Sequence, residues 1–153
     1  MTSSRRVVIL AGASGGGHWI ELLRLRPAFA GFDVVYISTF ENYASVVPES
    51  RFHAVPDASR FSVAAFLPIV ARAFRIIRDE KPSAIITTGS APMLPFVLLG
   101  RLLGVKSLWI DSISSTEHLS MSGRIAKHIA TKVIAQWPAL AAEQDIDFWG
   151  KVI

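Results

Sequence analysis

Residues 7–18 run from the apolar stretch Val7-Val8-Ile9-Leu10-Ala11 through Gly12-Ala13-Ser14-Gly15-Gly16-Gly17 to His18, which opens a helically patterned segment reaching Phe29. A strand, a glycine loop and a helix in direct succession constrain the fold more than any other feature, because they open a sheet whose strands alternate with helices. Four glycines in six residues let backbone N–H groups approach an anion with no Cβ in the way. The helix start adds unpaired N–H groups and the positive end of its dipole, which suits a phosphate. His18 brings a group that moves protons near neutral pH.

Two well-known loops do not fit. Gly12 and Gly17 have the spacing of the nucleotide-triphosphatase loop, but His18 and Trp19 stand where its lysine and Ser/Thr belong. A dinucleotide fingerprint counted from Gly12 meets Ser14 at its second glycine, and one counted from Gly15 meets Ile20 at its third. A tight turn alone needs neither four glycines nor a histidine.

Beyond the first helix, closed near Arg26-Pro27, short strands are expected at Asp33–Ile37, Arg51–Val55, Ala84–Thr88, Ser107–Asp111 and Lys132–Ala135. Ser38–Ser50 reads as polar connection, and His53 as a structural histidine inside its strand. Helices are expected at Phe61–Asp79, Met93–Leu103 and Ile125–Ala130, with Gly104 as a glycine cap. Pro68 either starts or kinks the first of these. Five or six strands alternating with helices imply an α/β fold: an open, Rossmann-like parallel sheet with helices on both faces. The loops beyond the carboxyl ends of such strands line the site, so Asp111 belongs on the same rim as Gly15–His18 and Gly89–Pro92.

The length of 153 residues fits one domain spanning 1–153, and the tail after Gln136-Trp137-Pro138 is acidic at Glu143, Asp145 and Asp147 before Phe148-Trp149 and a closing Val152-Ile153. Aromatic and aliphatic residues in a tail over 142–153 call for packing on this domain or on a partner. The chain is half apolar, 18% charged and carries a net +4. That balance suits an anionic membrane face or a phosphorylated substrate, and without a dense basic run nucleic acid is not an expected partner. Arg72, Arg75 and Arg78 recur along the helix that carries Phe66. The stripe reads either as an interfacial element with arginines at lipid headgroups or as the solvated face of a helix packed on the sheet. Cysteine is absent, which excludes thiolate metal sites and points to the cytoplasm; His18, His53, His118 and His128 lack zinc spacing, so no metal is expected. There is no stretch of about 20 apolar residues to span a bilayer.

The ordered motifs GASGGGHWIELLRL, TTGSAPMLPFVLLGRLLG, SLWIDS, LSMSGR and VIAQWPAL together resemble the Alg-fourteen/PssD type of glycosyltransferase subunit, over nearly the whole chain. The resemblance implies the amino-terminal half of a split GT-B enzyme whose separate carboxyl-terminal-half subunit binds the nucleotide sugar. It implies transfer from a UDP-sugar to a polyprenyl-diphosphate-linked acceptor, in lipid-linked oligosaccharide, exopolysaccharide or capsule synthesis, with no cofactor beyond the donor substrate. On it, Ser14, Gly15, Gly16, Gly17 and His18 face the acceptor diphosphate. Gly89, Ser90, Ala91 and Pro92 form a second loop, and Ser122 and Arg124 belong to a serine-glycine-arginine element. His18 is the first candidate base and Asp111, where the family often has glutamate, the second; either could instead orient the acceptor. No segment matches the amino-terminal membrane helix of eukaryotic members, so attachment is expected to be peripheral, at the cytoplasmic face, through Phe66, Arg72, Arg75 and Arg78. Two rivals remain: a non-catalytic membrane scaffold for the true transferase, and a small nucleotide-binding oxidoreductase.

Overall fold

A computed structural model describes residues 6–58 and 62–153. Among these residues seven strands form one parallel sheet: β1 (Val8–Gly12), β2 (Asp33–Ser38), β3 (Arg51–Ala54), β4 (Ala84–Thr87), β5 (Lys106–Ile110), β6 (Lys132–Ala135) and β7 (Asp147–Phe148). Their spatial order is β3-β2-β1-β4-β5-β6-β7. The chain therefore reverses direction across the sheet between β1 and β4, and the loops after these two strands open side by side.

Alternation along the strands divides the core. Leu10, Val35, Ile37, Ile85, Trp109 and Val133 point to one face, where they meet α2 (Val63–Glu80), α3 (Leu94–Leu102) and α4 (Met121–Ile129). Ala11 and Tyr36 point to the other, under Trp19 and Leu22 of α1 (Gly17–Arg24) and Phe29 of the 3₁₀ turn that follows it. α2 packs through Ile69, Ala73, Ile76 and Ile77. Ser62 caps it by accepting from the Ala65 N–H at 3.2 Å, and Lys81 ends it in the left-handed region. The helix runs through Pro68 rather than starting there; Phe61, its expected first residue, lies outside the described residues.

Three elements differ from expectation. α4 begins at Met121, four residues before the expected start, because the Ser120 hydroxyl caps the Gly123 N–H at 2.9 Å. Pro138–Gln144 forms a helix, α5, with Pro138 in its first turn. The chain then adds β7, so the sheet has seven strands instead of five or six. Lys132 holds Asp147 at 2.7 Å across β6 and β7, and this hydrogen bond keeps the Asp147 carboxyl below its ordinary range. His53 fills the structural place expected of it, with Nε2 2.8 Å from Glu80 at the end of α2.

Burial predicts where the fold is sensitive. Leu10 is fully enclosed on the central strand, whereas Val63 is exposed at the start of α2. Leu10→Ala should cost about 3 kcal/mol in chemical denaturation, and Val63→Ala less than about 0.5 kcal/mol.

Candidate functional site

Along the carboxyl edge of the sheet the loops enclose a cleft of about 460 Å³. Following the strand order, its wall is made by Asp57 and Ala58 after β3, Thr39 and Phe40 after β2, and Ser14, Gly15, Gly16 and His18 after β1. Ser90, Ala91 and Pro92 follow from β4, and Ser120, Met121 and Ser122 close the wall where α4 begins.

The glycine loop is fitted to its neighbours. A Cβ on Gly15 would fall 2.2 Å from the Phe40 ring, and Gly16 has φ 60°, ψ −130°, a conformation that favours glycine. The Gly16 N–H donates to the Tyr43 hydroxyl at 3.2 Å, and the buried Ser38 hydroxyl donates to the Ser14 carbonyl at 2.8 Å. The loop is thus held from β2 before α1 begins.

His18 is fixed by a reciprocal pair of bonds to the loop after β4. Its Nδ1 lies 2.9 Å from the Thr88 carbonyl, and the Thr88 hydroxyl donates to the His18 carbonyl at 2.6 Å. A carbonyl only accepts, so Nδ1 carries the hydrogen and neutral His18 keeps its lone pair on Nε2. Gly89, at φ 107°, closes behind the ring: a Cβ there would lie 3.6 Å from His18 and 3.4 Å from Trp109. Ser90 has φ 91°, which is strained for serine, and its hydroxyl is buried with no hydrogen-bond partner among the described residues.

Asp111 does not reach the cleft wall. It is 1% exposed, and its carboxylate accepts from the Ser120 hydroxyl at 2.6 Å, the Ser120 N–H at 2.9 Å and the Trp109 indole at 3.2 Å. Gly123 packs against it so closely that a Cβ would fall 2.4 Å from Oδ1. The carboxylate therefore ties the strand end to the start of α4, which sets Ser120, Met121 and Ser122 in the wall. A second buried acid, Glu21 on α1, accepts from Ser112, the Ile113 N–H and Gln136 at 3.0, 3.3 and 2.9 Å.

Ser14, Gly15, Gly16, His18, Ser90, Ala91, Pro92 and Ser122 are brought together as the sequence implied. Gly17 opens α1, and Arg124 is exposed on α4 outside the wall. On α2, Arg72, Arg75 and Arg78 are exposed, but Phe66 is turned inward onto the core. The apolar side chains that α2 presents outward are Val63, Leu67, Val70 and Phe74. Thr39, Phe40, Asp57, Ala58, Ser120 and Met121 were missed in the sequence. The first four follow the carboxyl ends of β2 and β3, and that placement was the available signal. Among the described residues no three His, Asp or Glu side chains are grouped as metal ligands, and no helix is long and apolar enough to cross a membrane.

The profile of the family described as "Oligosaccharide biosynthesis protein Alg14 like" matches residues 29–152. The human protein "UDP-N-acetylglucosamine transferase subunit ALG14" is 27% identical over 172 residues, covering 92% of this chain and 80% of its own. A Rhizobium etli protein is 30% identical over 145 residues, covering 86% of this chain and 37% of its own. Its name is UDP-N-acetylglucosamine--N-acetylmuramyl-(pentapeptide) pyrophosphoryl-undecaprenol N-acetylglucosamine transferase. Among solved structures, Acinetobacter baumannii MurG superposes with a TM-score of 0.71 at 19% identity, over 88% of this chain and 42% of MurG. The chain thus spans less than half of these two longer proteins, and the likeness to MurG is one of fold.

Proposed function

The chain belongs to the Alg14-like family of oligosaccharide-biosynthesis proteins, and on that premise we propose that it is the acceptor-side subunit of a two-component glycosyltransferase. The second component, a carboxyl-terminal-half subunit, binds the UDP-sugar, and the sugar passes to a polyprenyl-diphosphate-linked acceptor. The names of the relatives favour N-acetylglucosamine as the sugar transferred.

The observation that carries this reading is His18, with its Nδ1–H directed to Thr88 and Nε2 left as a base in the wall of the cleft. An acceptor hydroxyl gives its proton to Nε2 as its oxygen attacks the anomeric carbon of the donor. The bond from that carbon to the UDP oxygen breaks, UDP leaves with the electron pair, and the configuration inverts. Backbone N–H groups at the start of α1 and the hydroxyls of Ser14 and Ser122 receive the acceptor diphosphate. No lysine or arginine is among the described residues of the wall, and the dipoles of the glycine loop and the helix start are what they offer the anion. Asp111 acts as a positioning residue through Ser120 and Trp109.

The exposed apolar residues support peripheral membrane attachment. Leu67 and Phe74 on α2 and Leu102 on α3 are exposed by 64%, 46% and 72%, and Met121, exposed by 61%, brings the apolar surface to the cleft. Exposed Arg72 and Arg75 add charge for anionic headgroups. The tail adds a surface for the donor subunit. Val152 is anchored by its N–H to Gln136 at 2.7 Å, while Trp149 and Ile153 stay exposed.

In a reconstituted transfer assay His18→Ala should lower kcat about 100-fold with folding intact. Unchanged turnover, with recruitment of the donor subunit retained, would make the chain a non-catalytic scaffold. Replacing Leu67 and Leu102 together by glutamate should weaken sedimentation with anionic vesicles about tenfold or more at unchanged thermal stability. Unaltered sedimentation would remove α2 and α3 from the membrane contact.

A further inference from the structure

Phe40 and Asp57 both line the cleft, in the loops that follow the neighbouring strands β2 and β3, and no motif in the sequence led to either. They extend from strands paired in register, Ser38 on β2 opposite Ala54 on β3, and the Val55 N–H continues the ladder to the Ser38 carbonyl at 2.9 Å. Phe40 is 54% exposed, yet its ring is held: it packs on Gly15, lies 5.5 Å from the Tyr43 ring, and its N–H donates to the Ser38 hydroxyl at 3.4 Å. The ring thus offers a fixed aromatic surface to the cleft.

Asp57 is the sole carboxylate among the described residues of the wall, and it has no hydrogen bond or ion pair with any described residue. Asp57 is exposed, and its ionised carboxylate accepts hydrogen bonds and donates none, so among ligands it favours one that brings hydroxyl or N–H donors, and it repels phosphate. An apolar ring face and a carboxylate that no described residue engages, in one cleft wall, match a pyranose, which offers C–H groups on one face and hydroxyls at its edge. Strand order places the glycine loop and His18 immediately beyond Phe40. A ring on Phe40 therefore directs its hydroxyls to Asp57 at one side and to His18 at the other, with its diphosphate drawn away from the carboxylate.

We propose that Phe40 and Asp57 form the sugar subsite of the cleft, holding the acceptor's pyranose ring beside His18. This rests on the acceptor-side reading given above. Phe40 supplies the stacking surface and Asp57 selects for hydroxyls, so the pair recognises the sugar, whereas the glycine loop recognises the diphosphate.

The test is saturation-transfer NMR and titration of the full chain with farnesyl diphosphate and with farnesyl diphosphate carrying N-acetylglucosamine, glucose or galactose. Wild-type protein should bind at least one sugar-bearing probe about tenfold more tightly than the bare diphosphate, with saturation of ring protons. Asp57→Asn and Phe40→Leu should each remove most of that preference by weakening the sugar-bearing probes themselves, with affinity for the bare diphosphate not reduced, while Phe40→Tyr should retain it. Thermal melts establish that the variants are folded. Equal affinity of the wild type for bare and sugar-bearing probes overturns the subsite, as does a preference that survives both substitutions. Loss of UDP-N-acetylglucosamine binding in these variants would assign the pair to the donor and overturn the proposal too. Failure of the wild type to bind any of these diphosphates would instead sink the acceptor-side reading itself.

Discussion

Two buried carboxylates hold the carboxyl edge of this sheet together. Asp111 and Glu21 are removed from water with no cationic partner among the described residues, and neutral donors satisfy both. Gln136 links them: its Nε2 donates to Glu21 at 2.9 Å and to the Asp111 backbone carbonyl at 3.0 Å. A buried carboxylate stripped of such donors costs about 1–3 kcal/mol per lost bond, so the donors are held in one arrangement. Those donors come from β5, the loop after it, the start of α4 and the end of β6, and Glu21 itself brings in α1. Gln136 also accepts from the Val152 N–H, which extends the same network to the tail.

The cleft inherits its shape from this network. α1 carries Glu21 inward and His18 one turn earlier, so fixing one end of the helix limits how the histidine can move. Asp111 performs the equivalent task for Ser120 and Ser122, and the His18–Thr88 pair joins the loops after β1 and β4. Function on such a parallel sheet is confined to the carboxyl edge, because only there do loops from neighbouring strands converge. Away from this edge, α2 and α3 present an exposed apolar surface, and the tail lies beside Phe29, Ile110 and Ile134.

The parallel alternation of strands and helices was legible because buried strands are short β-branched runs and the glycines sit at their ends. So was most of the cleft wall on the β1 and β4 side, from Ser14 to His18 and from Ser90 to Pro92, since small-residue loops directly follow those strands. Asp111 was read at the right strand end but on the wrong side. Its donors come from Trp109 two residues before and Ser120 nine residues after, and strand periodicity does not reveal which way a terminal carboxylate turns. Phe66 was misplaced for a related reason: α2 has one buried apolar face and a second, exposed one through Leu67 and Phe74, and composition does not separate them. Glu21 escaped notice because a helical glutamate is ordinarily solvated. β7 is only two residues long, and its pairing with β6 depends on tertiary context rather than on a strand signal in the chain.

The proposed chemistry needs both halves of a transferase, of which this chain supplies one. Transfer of radiolabelled sugar from UDP-N-acetylglucosamine to a polyprenyl-diphosphate-linked acceptor, measured with this chain alone, with its candidate donor-binding subunit alone and with both, tests it directly. Transfer is expected only when both are present. Full turnover by the donor-binding subunit alone in detergent solution, unaffected by adding this chain, would contradict it.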